Sequence, residues 1–204
     1  MMNFLSQTKK FFEHLNRNIF FLSLAQIFSM TSMNINIITT GLAGFIIAPY
    51  GWLSTFPLSL QFIITMLFTF PCSILMSKYG RKIVFVGGVL SVSTGGLIMT
   101  IALFQKNFYL FCFGSVLLGL GHATNLFYRY AATETVPKNV KPKAMSLVLS
   151  AGLIAALLGP RIYQISADAI LPHLYAGSYL MIAITQLIAL PFIMRIKIPL
   201  PPRS

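Results

Sequence analysis

Charge is scarce in this chain of 204 residues, where charged residues make up 9% and hydrophobic residues 56%. The segment 18–77 contains no Asp, Glu, Lys, Arg or His. With a mean hydropathy of +0.80, this composition excludes a soluble globular domain. A bilayer crossing takes about 20 apolar residues, so the segment predicts two membrane helices hinged near residues 49–51.

Acidic residues and cysteines are scarcer still, with three of the former and two of the latter. Cys72 and Cys112 both fall inside predicted spans, away from an oxidising aqueous face. This placement supports neither a disulfide nor a metal site. We therefore expect packing roles for both cysteines, no metal and no cofactor.

The sequence motifs of membrane proteases are missing. Serine types would show Gly-x-Ser-Gly with a partner histidine, and metalloproteases would show His-Glu-x-x-His. Gly114 and Ser115 lack the following glycine, and His122 has no orienting carboxylate beside it on the same helix. An enzyme is not expected.

The apolar sequence divides into six segments long enough to span a bilayer. They are 18–49, 52–77, 83–104, 108–130, 144–164 and 174–196. No soluble domain interrupts them. We predict an all-α membrane protein of six transmembrane helices.

When the six spans alternate in direction, most of the positive charge lies on loops at the same side of the membrane. The formal net charge is +12, and only Lys106 and Arg161 lie on or toward the other side. The positive-inside rule then makes both termini cytoplasmic, in a multi-pass protein of the plasma membrane, or inner membrane of a bacterium. Because the cations lie between spans and form no stripe, the expected partner is the lipid bilayer and not nucleic acid.

The two ends of the chain differ in composition from the spans. Residues 1–17 mix Phe and Leu with Lys and Arg, which suits a short amphipathic helix at the cytoplasmic interface or a frayed tail. We expect no signal-peptide cleavage, since the following apolar segment is too long. Residues 18–197 would form one transmembrane domain, and residues 198–204 the start of a cytoplasmic linker or a truncated end.

Small residues recur at helical spacing in the third, fourth and fifth spans, as expected where membrane helices approach closely. The third and fourth spans carry Gly88, Gly95, Gly96, Gly114 and Gly121. The fifth carries one stripe at Ala151, Ala155 and Gly159, and a second at Gly152, Ala156 and Pro160. Pro160 cannot donate to the carbonyl of Ala156, so a bend is expected there.

The turn 77–82, Ser-Lys-Tyr-Gly-Arg-Lys, is a charged tight turn between two apolar runs. It resembles the second half of Gly-x-Leu-x-Asp-Arg-x-Gly-Arg-Lys, the signature of the major facilitator superfamily. The matching residues are Lys78, Gly80, Arg81 and Lys82. The leading glycine is replaced by Ser73 and the acidic residue by Ser77, so the carboxylate that the family uses at this hinge is absent.

Two further segments resemble the same family. Residues 129–137, Arg-Tyr-Ala-Ala-Thr-Glu-Thr-Val-Pro, resemble its Arg-Phe-Ala-Ala-x-Glu-x-x-Pro pattern, although its intramembrane arginine and glutamine would fall at Ser115 and Leu118. Gly159 and Pro160 resemble the end of Gly-x-x-x-Gly-Pro, with Ala155 at the first glycine. The resemblance covers nearly the whole chain and indicates the amino-terminal six-helix half of such a transporter.

The resemblance implies a transporter that moves a small-molecule solute by alternating access between two six-helix halves. A homodimer or a second six-helix chain could supply the other half. A truncated, non-transporting remnant and a membrane assembly subunit are the alternatives. Glu13, Glu134 and Asp168 lie near or beyond helix ends, so proton coupling would use His122 or a partner chain, or be absent.

Polar residues inside the spans are the candidates for a substrate cavity. They are Gln26, Asn34, His122, Asn125 and Arg161. Gln26 and Asn34 share a helix side, whereas Asn36 lies about 160° from Asn34. His122 and Asn125 share a face; His122 could bind solute, relay a proton or pair with a neighbouring helix. Arg161 could attract an anion, pair with Asp168 or reach the outer interface.

A cytoplasmic gate is the second candidate site. Its residues are Ser77, Lys78, Gly80, Arg81, Lys82, Arg129 and Glu134. Glu134 is the only carboxylate between the second and fifth spans. We predict that it pairs with Arg129 or Arg81, as a latch in a transporter or as a loop brace otherwise.

Overall fold

The computed structural model describes residues 17–198. Its helices are α1 (Arg17–Ile47), α2 (Phe56–Tyr79), α3 (Arg81–Gln105), α4 (Phe108–Asn125), α5 (Tyr128–Glu134), α6 (Lys141–Ser166) and α7 (Ala176–Met194), with 3₁₀ turns at Gly51–Leu53 and Lys138–Val140. Within this range six helical segments are long and apolar enough to cross a membrane, with α4 and α5 in one of them. The predicted all-α, six-span fold is confirmed. The predicted interfacial helix (1–17) and carboxyl-terminal linker (198–204) lie outside the described residues, apart from Arg17, the first residue of α1, and Ile198.

The fourth predicted span is interrupted, which corrects the expectation of one helix over 108–130. α4 ends at Asn125 and α5 begins at Tyr128. The Thr124 hydroxyl donates to the carbonyl of Gly121 at 2.8 Å, and the amide of Phe127 turns back to the carbonyl of Thr124 at 3.1 Å. A side chain that bonds to the preceding turn competes with regular helix geometry, and here the tightened turn redirects the chain.

Glycine contacts bring α3 and α4 together along their length, as the sequence predicts. A Cβ atom on Gly121 would lie 2.4 Å from the carbonyl oxygen of Gly88, and one on Gly114 would lie 3.0 Å from that of Gly95. A Cβ atom on Gly88 would lie 2.2 Å from the hydroxyl oxygen of Thr124. No side chain fits at these positions, so the glycines allow backbone contact where lipid provides no hydrophobic drive for association.

One of the two small-residue stripes on α6 packs against α1, and the other does not. Ala151, Ala155 and Gly159 are buried, and a Cβ on Gly159 would lie 2.6 Å from that of Asn34 on α1. Gly152 has no atom within 4 Å of the place its Cβ would occupy. Gly152 therefore makes no close packing contact within residues 17–198, because a rotation of about 100° from Ala151 turns it away from α1. α6 runs through Pro160 as one helix.

The buried interior has a polar layer between two apolar clusters. On α1, Leu22 and Ala25 belong to one cluster and Ile35 and Ala43 to the other. Gln26, Ser29 and Ser32 lie buried between them, and Asn36 and Thr40 are buried beside the second cluster. We call these buried polar residues and their polar neighbours on the other helices the polar layer. The same arrangement occurs on α7, where the buried Gln186 lies between Ile182 of the second cluster and Ala189 of the first. Polar groups at this depth must find partners inside the protein, so this layer is where a site can be built.

Two of the six spans are much less covered than the rest. In their most apolar stretch, α2 is 11% buried and α6 is 22% buried, against 50–56% for the other four spans. α1, α3, α4 and α7 therefore form the interior of the bundle, and α2 and α6 present broad apolar faces outward.

Candidate functional site

A chain of buried hydrogen bonds crosses the polar layer between α1, α2 and α4. Asn36 donates from Nδ2 to Oε1 of Gln61 at 2.6 Å. Nε2 of Gln61 lies 3.1 Å from Nδ1 of His122. Asn36 and Gln61 are fully buried, and His122 is 2% exposed. Gln61 thus joins the first and fourth spans through its two amide atoms.

The network continues to α7 through Thr40. The Thr40 hydroxyl donates to Oδ1 of Asn36 at 2.9 Å and lies 2.9 Å from the Tyr179 hydroxyl. Because its single proton is directed to Asn36, the Tyr179 hydroxyl donates to Thr40. The Tyr179 ring is held edge-on against Phe111, with ring centroids 5.4 Å apart. The polar layer therefore connects four spans.

The hydrogen-bond pattern assigns the tautomer of His122. Oε1 of Gln61 already accepts from Asn36, so the amide nitrogen of Gln61 donates to Nδ1 of His122. A neutral imidazole that accepts at one nitrogen carries its proton on the other. Nε2 of His122 is buried and has no partner within residues 17–198. His122 therefore offers a buried, unused N–H donor.

Other polar atoms of the layer are also unpaired within the described part of the chain. They are Oε1 of Gln26, Nδ2 of Asn125 and the hydroxyl of Tyr128, all buried. Gln26, His122 and Asn125 were predicted as cavity residues, and the structure buries all three. Each of these atoms can form a hydrogen bond with water or with an uncharged group.

A second buried pair links α1 to α7. Gln186 donates from Nε2 to the Ser32 hydroxyl at 2.7 Å, and Ser29 donates to Oε1 of Gln186 at 3.4 Å. Sequence reasoning missed Gln186, Gln61, Thr40 and Tyr179. The signal was available for the two glutamines, because each is an amide inside an otherwise apolar span.

Asn34 and Arg161 lie elsewhere than the polar network. Asn34 is half-buried, and its Nδ2 donates to the carbonyl of Ala155 on α6 at 3.1 Å, so its amide serves the α1–α6 contact. Arg161 is exposed on α6. It forms no ion pair with Asp168, although both residues are described, and this alternative is therefore wrong. An exposed guanidinium in a span fits the outer-interface alternative better.

Arg81 and Glu134 form a bidentate ion pair at the end of the bundle where the α2–α3 turn lies. Nε of Arg81 donates to Oε2 of Glu134 at 2.6 Å, and Nη2 donates to Oε1. This contact confirms the predicted partner of Glu134 as Arg81. Arg129 does not share this ion pair. Its guanidinium instead lies 4.9 Å from the ring centroid of Tyr130. The pair fastens the start of α3 to the end of α5.

The turn between α2 and α3 depends on one glycine. Gly80 has φ 87°, a region that side chains rarely adopt. Ser77 donates to the carbonyl of Ile74 at 2.8 Å, while Lys78 lies over the Tyr79 ring and Lys82 is exposed. The turn therefore presents two lysines that have no ion-pair partner within residues 17–198.

Comparison with known proteins gives the family and one relative. The family model described as Major Facilitator Superfamily matches residues 11–204. A riboflavin transporter, RfnT, from Brucella anthropi is 33% identical over 183 residues, which cover 90% of this chain and 46% of that protein. The chain thus spans about half the length of this curated relative. No solved structure matches the chain.

Proposed function

This chain belongs to the Major Facilitator Superfamily, and on that basis we propose that it forms one six-helix half of a membrane transporter that works by alternating access. A polar layer that crosses four spans in an otherwise apolar bundle supports this proposal most directly. In such folds the substrate site lies near the middle of the membrane, between two six-helix units.

The solute we propose is small, uncharged and rich in hydrogen-bonding groups. The buried side chains of residues 17–198 include amides, hydroxyls and one imidazole, but no Asp, Glu, Lys or Arg. A buried charge without a partner is costly, so an uncharged ligand suits this layer. Riboflavin is the first candidate, because a relative is named for its transport.

A second six-helix unit is needed for alternating access. The same polypeptide, a second copy or another chain could supply it. The outward faces of α2 and α6 are the surfaces we propose for this contact, since they are the least covered. We propose a cytoplasmic location for the α2–α3 turn and for both ends of the chain, in the plasma membrane. In this arrangement the Arg81–Glu134 pair is a cytoplasmic gate latch.

Uptake of radiolabelled riboflavin by cells that lack their own uptake system tests the proposal. Cells that express the full protein should accumulate riboflavin, and replacing His122 with Ala should reduce uptake at least tenfold. Gln105→Ala, at the exposed end of α3, is the matched control. Loss of uptake must occur without loss of protein from the membrane.

A non-transporting remnant or a membrane assembly subunit is the alternative function. The complete burial of Asn36, Gln61 and Thr40 favours it, because a network closed within one bundle can hold helices together without contacting a solute. A folded protein with no flux of riboflavin or of related neutral solutes, in cells that contain any partner chain, would support this alternative.

A further inference from the structure

An apolar groove of about 310 Å³ opens on the outside of the bundle between α2 and α3, with α4 as its floor. Its lining includes Phe68, Tyr79, Ile83, Gly87, Ser91 and Thr124. It is separate from the buried polar layer and plays no part in the proposed transport site.

One missing side chain keeps the groove open. Gly87 is exposed, and no atom lies within 4 Å of the place its Cβ would occupy, whereas the neighbouring Gly88 is packed against Thr124. Gly88 therefore serves the α3–α4 contact. Gly87 leaves unfilled space beside it.

The serine and threonine hydroxyl groups in the groove are already used. Ser91 donates to the carbonyl of Leu117 at 2.7 Å, and Thr124 donates to that of Gly121 at 2.8 Å. With their protons directed into the helix backbone, these walls offer almost no donor to an occupant. The chemistry favours a hydrocarbon chain over a polar solute.

Positive charge surrounds one end of the groove. Tyr79 and Ile83 line this end, and Nζ of Lys78 lies 5.4 Å from the Tyr79 ring centroid. Lys82, beside Ile83, is exposed. The carboxylate of Glu134, at the same end of the bundle, is already bound to Arg81. It therefore does not neutralise these two lysines. The end of the groove that meets the membrane surface is therefore cationic.

We propose that this groove binds an anionic phospholipid, with one acyl chain between α2 and α3 and the phosphate held by Lys78 and Lys82. Such a lipid places hydrocarbon and negative charge at the depths where the groove and the lysines lie. A second copy of this chain fits less well, because its own net charge of +12 would meet the cationic end with like charge.

Lipid titration of the delipidated full protein in detergent, followed by native mass spectrometry, tests this proposal. The probes are dioleoyl phosphatidylglycerol and dioleoyl phosphatidylcholine, which share acyl chains and differ in net charge. Phosphatidylglycerol should bind more tightly. A basic residue near an anionic surface contributes about 1 kcal/mol, so Lys78→Gln with Lys82→Gln should weaken phosphatidylglycerol binding roughly 25-fold. Lys138→Gln with Lys143→Gln removes the same charge elsewhere and should change little.

Gly87→Leu tests the acyl-chain half of the proposal, because its Cβ enters free space and its side chain extends into the groove. It should weaken binding of both lipids at least fivefold, whereas Gly41→Leu, at another glycine with free space around its Cβ position, should not. Equal binding by Gly87→Leu and the parent protein would overturn the groove as the site. Equal loss in both lysine pairs would overturn the role of Lys78 and Lys82. If Gly87→Leu fails to fold, the two lysine pairs, which lie at the surface, still decide the headgroup contact.

Discussion

Gln61 is the side chain through which α1, α2 and α4 are hydrogen-bonded in the polar layer. Its oxygen accepts from Asn36 and its nitrogen meets His122, so it joins three helices from a fully buried position. An amide carries its acceptor and its donor on separate atoms, which lets Gln61 bridge two neighbours, whereas a carboxylate has no donor for His122.

Gln61→Leu should lower the free energy of unfolding by about 1–3 kcal/mol, because it leaves Nδ2 of Asn36 and Nδ1 of His122 buried without partners. Denaturation of the purified protein in mixed micelles measures the change. Gln105→Leu, the same substitution at an exposed residue of α3, is the control and should stay within about 0.5 kcal/mol. Equal stability of the two variants would mean that the network does not hold the bundle together.

The sequence predicted part of this site. His122 and Asn125 could be identified because their spacing of three residues puts two polar side chains on one helix face. Asn36 was placed on the opposite side from Asn34, and the structure agrees that they differ, with Asn36 in the buried network and Asn34 against α6. What helical periodicity cannot give is which face meets which neighbour. That depends on contacts far apart in sequence, such as Thr40 with Tyr179.

At the scale of helices, glycine decides which pairs approach closely. The prediction for α3 and α4 was right because their glycines recur at one spacing on both helices, whereas on α6 two stripes were equally regular and only one met α1. The break between α4 and α5 was not predicted, since no proline or glycine lies at residues 126–127. The Thr124 side chain that participates there is common inside helices.

Gly121→Ala should destabilise the protein by about 1–3 kcal/mol, the usual range for overpacking a close contact. The new methyl group would meet the backbone carbonyl of Gly88 at 2.4 Å, which can move only if α3 and α4 separate. Gly152→Ala introduces the same group into free space and should leave stability equal or slightly higher, because alanine favours the helix. Thermal unfolding in detergent compares the two, and a larger loss in Gly152→Ala would contradict the packing described.

The Arg81–Glu134 pair should affect conformational change more than stability. Its side chains are 20% and 41% exposed, and such pairs contribute about 0–1 kcal/mol. Glu134→Arg should therefore leave the protein folded but alter solute uptake severalfold if the pair is a latch. The exchange of both residues, Arg81→Glu with Glu134→Arg, should restore uptake in part. A loop brace predicts the opposite, namely unchanged uptake in every folded variant.

At the scale of the whole molecule, charge predicts how the bundle lies in the membrane. Cysteine substitution at Lys138 and at Lys106, in a protein whose Cys72 and Cys112 are replaced by Ala, gives one reporter for each side. A membrane-impermeant maleimide added to intact cells should label position 106 and not position 138, because loops rich in Lys and Arg stay cytoplasmic. Labelling at 138 from outside would reverse the orientation and place the Arg81–Glu134 pair at the outer face.

The exposed faces of α2 and α6 lead to the last prediction. Met66 is 70% exposed and Leu157 is 75% exposed, and both would be covered if a second six-helix unit packs here. Photo-crosslinking side chains at these two positions, in the native membrane, should capture protein. The same groups at Ile101 on α3 and Leu187 on α7, exposed by 45% and 46%, should capture lipid alone. The mass of the crosslinked product then distinguishes a second copy, another chain and a further segment of the same polypeptide. Lipid at all four positions would mean that the bundle has no second unit, and alternating access would then be excluded.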